Sequence, residues 1–176
     1  MSSHAQWADN ARIDDIARQR KLHHAAIRLY FSPVNPAYGS LFLGKTPAEL
    51  DADLESAMAE LDAAYSLLLM TVIEALFKID FTKRCQRRSK DSLSRRFREL
   101  HKVHKFRIKF GEDILEAWKT NVAGASRPVS DIRSALKYRD WLAHGRYWVP
   151  KLGRRYDFPT IYDLASVITT DFDFKT

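Results

Sequence analysis

The stretch Thr46–Asp80, TPAELDADLESAMAELDAAYSLLLMTVIEALFKID, decides the fold. Thr46, Pro47 and Glu49 open it with a Thr-x-x-Glu capping box, and proline takes the first helical position, where a missing N–H costs nothing. No further proline or glycine follows, so the spacing predicts a helix from Pro47 to about Asp80 or beyond, acidic in its first half and apolar in its second. The apolar run Ala63–Ile73 is too short for a bilayer, which needs about 20 residues, and Glu74 and Lys78 follow at once. It is expected to be a buried helix.

The flanks predict more helices. Residues 5–31 place Ile13, Ile16, Ala17, Ile27 and Tyr30 among charged residues, the pattern of an amphipathic helix. SPVNPAYGSLFLGK, residues 32–45, has two prolines and two glycines and is expected to be a loop. Asp91 or Ser92 caps a third helix over SLSRRFRELHKV, and GEDILEAWKTNV gives a short fourth. A fifth, capped around Ser130, sets Ile132, Leu136, Ala143 and Tyr147 on one face, and PTIYDLASVITT adds a short last one. No alternating strand pattern exceeds four residues and no internal repeat is present. The expected fold is a single-domain, all-α bundle with a core over about 46–150 and an N-terminal helix and loop over 1–45.

The 176 residues suffice for one core, and 45% hydrophobic with 29% charged residues is an ordinary globular composition. No basic, then apolar leader opens the chain, so a cytoplasmic location is expected, without membrane attachment. The single cysteine, Cys85, lies among arginines with no evident catalytic partner and is read as incidental. Charge is uneven within the net +7. Lys83–Lys109 holds twelve Lys and Arg against two acids, a local balance of +10, while Pro47–Asp80 holds eight acids against one Lys, a balance of −7. Such a basic stretch suits a polyanion, nucleic acid being the commonest, or it is a solvated face.

Two motifs are set aside. GSLFLGKT, Gly39–Thr46, satisfies a phosphate-loop pattern, but prolines occupy the place of the required strand and bulky Leu41, Phe42 and Leu43 the place of small residues; Thr46 is already explained as a cap. Nucleotide binding through Lys45 is the weakest of three functional readings. The pairs His23/His24 and His101/His104 invite a metal, but HKVHKFRIK around the second is cationic, and no metal or other cofactor is expected.

Chemistry concentrates in YRDWLAHGRYW, Tyr138–Trp148. On a regular helix Arg139 and His144 are about 140° and about 7.5 Å apart, whereas Asp140 and His144 share a face at i, i+4. Histidine as acid or base near neutral pH, arginine as a fixed positive fork and aspartate as orienter make a set for phosphate chemistry. The other reading is a helix C-terminus decorated with the basic residues its dipole favours.

RDWLAH, Arg139–His144, resembles the Arg, four-to-six residues, His signature of the HEPN superfamily, in which a polar residue commonly follows the arginine. KYRDWLAHGRYW is similar to HEPN-like nucleases of bacterial toxin–antitoxin and abortive-infection systems. VIEALFKIDF, Val72–Phe81, resembles the Glu-x-x-Phe and Asp-aromatic pattern on an earlier helix of those families, and the likeness spans roughly residues 60–150.

That resemblance implies an up-and-down helical bundle, here with additional N- and C-terminal helices, which dimerises so that two Arg-His segments face one cleft. It implies metal-independent RNA cleavage with the ribose 2′-hydroxyl as nucleophile. His144 would be general acid or base, Arg139 would stabilise the phosphate, and Asp140 would hold His144 or shape the cleft. Glu74 corresponds to the acidic residue of the earlier helix, beside the site or capping a buried polar network. Tyr147 sits one place later than the tyrosine that an antitoxin modifies in some family toxins, so that form of control is not carried over. RNA contacts are expected at Arg84, Arg87, Arg88, Arg95, Arg96, Lys102 and Arg146. The partners implied are RNA, a second copy of the chain and a cognate antitoxin protein. The alternative is a non-catalytic module that binds RNA or protein. Trp141, Tyr147 and Trp148 belong either to an interface or to the core.

Overall fold

The computed structural model describes residues 12–87, 89–145, 151–153 and 156–175. Among them every regular element is helical: α1 (Ile13–Tyr30), α2 (Tyr38–Leu41), α3 (Pro47–Arg87), α4 (Ser92–His104), α5 (Leu115–Asn121), α6 (Ser126–Ala143) and α7 (Phe158–Asp171). The chain is an all-α bundle built around α3.

The capping box forms as the sequence predicts. The Thr46 N–H donates to Glu49 Oε2 at 2.7 Å, and the Glu49 N–H donates to Thr46 Oγ1 at 3.3 Å. From this start α3 runs for 41 residues, about 60 Å at helical rise. Burial begins only at Ala63 and continues through Ser66, Leu69, Met70, Ile73, Phe77, Asp80, Phe81 and Arg84, steps of one, three or four residues that keep a single face inward. The acidic stretch before it, residues 47–62, carries no buried residue.

Helix α1 lies against α3 and is fastened there by polar groups. Arg20 forks onto Asp62 at 2.7 and 2.8 Å, and His24 Nε2 approaches the same carboxylate at 2.5 Å. Burial works to raise the Asp62 carboxyl, but the hydrogen bonds from Arg20 and His24 outweigh it and hold the group below the usual carboxylate range. The Tyr65 hydroxyl shares a 2.8 Å hydrogen bond with His23 Nδ1. The expected loop between α1 and α3 contains the one-turn helix α2, closed by ring contacts of Phe42 with Tyr30, Phe31 and Tyr38 at 5.1–5.5 Å.

Asp91 caps α4 by accepting the Ser94 N–H at 2.9 Å, and Leu93, Phe97 and Leu100 turn inward, with Phe97 4.9 Å from Phe81. A 3-10 turn (Lys105–Arg107) and a π-helical turn (Phe110–Ile114) then lead into α5. Helix α6 starts at Ser126, one turn before the expected cap. Pro128 fits that first turn, where the backbone N–H groups lack helical partners, and the Ser130 hydroxyl donates to the Ser126 carbonyl at 2.8 Å instead of capping. The inward face of α6 is Val129, Ile132, Ala135 and Tyr138, with Leu136 half-buried; Ala143 is exposed, and Tyr147 and Trp148 lie outside the described residues.

Asp157 caps α7 through the Thr160 N–H at 3.0 Å, and the chain beyond α7 returns to the core. Phe172 and Phe174 pack edge-on against Phe77 at 5.6 and 5.0 Å and approach Trp118 at 5.0 and 5.4 Å. Phe77 and Trp118 are fully buried, so this aromatic group centres the core between α3 and α5. Aromatic contacts of this geometry add to area burial.

Candidate functional site

The site forms where α3 and α6 pack together. Glu74 follows buried Ile73, so it stands at the edge of the inward face of α3, with its side chain 22% exposed. Arg139 follows buried Tyr138 and stands at the matching edge of α6, 33% exposed. Across the two helices Arg139 Nη2 lies 3.4 Å from Glu74 Oε2. Glu74 also pairs with Lys78 one turn along α3, at 2.5 Å. A half-buried carboxylate needs cationic partners, and Glu74 has two.

Asp140 and His144 extend the site along α6. Arg139 Nε is 3.3 Å from Asp140 Oδ1. His144 is the first residue beyond the helix, at φ −101° and ψ 24°, and its N–H still donates to the Asp140 carbonyl at 3.0 Å. Gly145 follows at φ +81°, the left-handed conformation that commonly ends a helix and that glycine adopts without a Cβ penalty. This C-cap is why the histidine sits at a helix terminus with its side chain exposed. The expected Asp140–His144 pairing is replaced: among the described residues the Asp140 carboxylate engages Arg139, and no hydrogen bond or ion pair joins it to His144. The site thus combines an arginine between two carboxylates, a lysine beyond one of them and an exposed imidazole at the helix end. A phosphate oxyanion can take a carboxylate's place on a guanidinium fork.

The expected RNA contacts divide. Arg95, Arg96 and Lys102 are exposed on α4, with Arg96 3.3 Å from Glu99, and Arg87 is exposed at the end of α3. Arg88 and Arg146, like Tyr147, lie outside the described residues.

Arg84 is a correction. Its side chain is 5% exposed and bound inward, with Nε 2.8 and 2.9 Å from the Asp80 carboxylate oxygens, Nη1 3.2 Å from Asp91, and Nη2 donating to the Asp173 carbonyl at 2.6 Å. The guanidinium also lies 5.4 Å from the centre of the Trp118 ring. Arg84 therefore fastens the 172–175 segment to α3 and cannot face RNA. The i, i+4 spacing of Asp80 and Arg84 was the available signal. The same spacing signals the pairing of Lys78 with Glu74.

The other motifs are occupied structurally. Lys45 pairs with Asp53, and Gly39 and Ser40 lie within α2, leaving no open phosphate loop. His101 packs on Phe81 with ring centres 6.1 Å apart, and His104 Nε2 is 3.9 Å from Asp113. Among the described residues no group of three or more His, Cys, Asp and Glu is placed to hold a metal ion, and no helix is long and apolar enough to cross a membrane. Burial pushes the Cys85 thiol up, away from the reactive thiolate.

Fold and site together define an all-α bundle with a cation–carboxylate cluster between α3 and α6 and a basic flank on α4. No family model, curated protein or solved structure matches the chain.

Proposed function

We propose that the protein is a metal-independent endoribonuclease of the HEPN-like kind, acting in the cytoplasm as a toxin or antiphage defence effector. The observation that carries this reading is the approach of Arg139 to Glu74 at 3.4 Å. The two segments that resemble HEPN proteins are far apart in sequence, and this contact brings their charged residues together.

The chemistry follows from the groups present. The ribose 2′-hydroxyl attacks the adjacent phosphorus, the 5′-oxygen leaves, and the products are a 2′,3′-cyclic phosphate and a 5′-hydroxyl. His144 takes the proton from the nucleophile or gives one to the leaving oxygen, and Arg139 offsets the charge that builds on the phosphate. Asp140 acts through Arg139, which it touches, as a positioning residue. Arg87, Arg95, Arg96 and Lys102 guide the rest of the strand. A second copy completes the cleft, and a cognate antitoxin covers it.

The test is cleavage of single-stranded RNA in excess EDTA. His144→Ala and Arg139→Ala should each lower the rate by about 10²–10⁴ with unchanged helical circular dichroism. Undiminished cleavage by His144→Ala would refute the reading. The second reading, a non-catalytic RNA-binding module, draws on the two carboxylates that already neutralise Arg139. It predicts salt-sensitive binding without products.

A further inference from the structure

We infer that Lys78 is a second phosphate-binding residue of this site, and that Glu74 holds the place of the RNA phosphates between Lys78 and Arg139 until a strand enters. The inference rests on the reading of Arg139 as the residue that meets the RNA phosphate.

The geometry is that of a carboxylate shared by two cations. Glu74 offers Oε1 to Lys78 at 2.5 Å and Oε2 to Arg139 at 3.4 Å. The longer contact is the weaker, and both cations remain reachable, with side chains 54% and 33% exposed, while Glu74 is 22% exposed. An entering phosphate therefore meets the two cations before it meets the carboxylate. A carboxylate and a phosphate compete for the same donors, and the phosphate offers a guanidinium the same two-oxygen geometry.

Position supports Lys78 as the link to the basic flank. It stands four residues beyond Glu74, about 6 Å along the α3 axis, and three residues before Phe81. The Phe81 ring meets the His101 ring of α4 at 6.1 Å, and exposed Lys102 is the next residue. Along α3, Lys78 thus stands between the contact that Glu74 makes with α6 and the contact that Phe81 makes with α4. No other lysine or arginine stands on α3 between Pro47 and Phe81, so Lys78 is the first cation along the helix, with Lys83 and Arg87 following it. In the free protein Glu74 keeps that cation and Arg139 from repelling each other. When RNA binds, phosphates take over that role and the carboxylate gives way.

The experiment is fluorescence anisotropy with a labelled 2′-O-methyl oligoribonucleotide, whose blocked nucleophile prevents cleavage, run beside cleavage of the unmodified strand. Lys78→Ala should weaken binding about fivefold and reduce the slope of log affinity against log salt by about 0.7, the single-strand value for one phosphate contact. Glu74→Gln should bind more tightly than the parent, because a neutral amide no longer competes for the two cations. In the Glu74→Gln background Lys78→Ala should cost more than in the parent, since Lys78 is then free of its internal partner. Parent affinity and slope in Lys78→Ala would overturn the inference, as would Glu74→Gln binding no tighter, or no binding by the parent protein. Cleavage separates this from the enzymatic reading: tight, Lys78-dependent binding without products refutes the nuclease alone, and cleavage with Lys78-independent binding refutes the clamp alone.

Discussion

Replacing Arg84 by alanine should be among the most destabilising single changes to a charged residue of this chain. The guanidinium makes two contacts with Asp80, one with Asp91 and one with the Asp173 carbonyl. Asp80 is fully buried, and without Arg84 its carboxylate keeps, among the described residues, only the Lys175 N–H at 2.8 Å. Burial already pushes the Asp80 carboxyl up, and the Lys175 N–H and Arg84 offset that only in part. Removing one partner of a buried pair costs about 3–5 kcal/mol because an uncompensated charge stays behind. For a chain of this length that is a fall in melting temperature on the order of 10 °C. Thermal melts followed by circular dichroism at neutral pH measure it, with Arg95→Ala on exposed α4 as the control, expected within about 0.5 kcal/mol of the parent. An Arg84→Ala melt no lower than that of Arg95→Ala would refute the reasoning. Weakened RNA binding at undiminished stability would return Arg84 to the RNA face.

Three further changes probe other joints. Phe77→Ala should cost about 3–5 kcal/mol, read from urea midpoints, because the ring fills the core between Phe110, Trp118, Phe172 and Phe174. Asp157→Ala removes the α7 cap and should cost about 1 kcal/mol by the same measurement, with α7 fraying first in amide exchange. Asp62 has a lowered carboxyl in the folded state, so its contribution is in place above the unfolded value of about 3.9 and is lost as pH falls through the folded value. Asp62→Asn should therefore cost about 1 kcal/mol at pH 6, and the cost should shrink as pH falls through the folded value; a cost that stays constant as the parent is acidified would show that charge is not what holds α1 to α3.

Helix α3 was legible because its signals are local: a capping box, a proline at the first position and a long run without breakers. The Asp91 cap of α4 was legible for the same reason. The start of α6 was misread because Ser130 looks like a cap, whereas the proline two residues earlier tolerates the first turn. Charge alone placed Arg84 on the surface with its neighbours, but a basic residue four positions after a buried aspartate answers to that aspartate first. Asp140 was assigned to His144 by helical spacing, and the adjacent guanidinium took it because His144 lies just past the helix end. The contact between Glu74 and Arg139 was beyond the reach of periodicity. Nothing local specifies it, and only the likeness of two separated segments to a known family pointed there.

The uneven burial of α3 makes one continuous helix two units of opening. Its second half shares the aromatic core, so amide protons there should exchange only with unfolding of the whole domain. Residues 47–62 include no buried residue and rely on α1, so their amides should exchange through a local opening that leaves the Arg139 site intact. A helix that reads as one rigid rod would then respond to solvent as an arm hinged near Asp62, and the boundary between slow and fast protons would mark where the core ends.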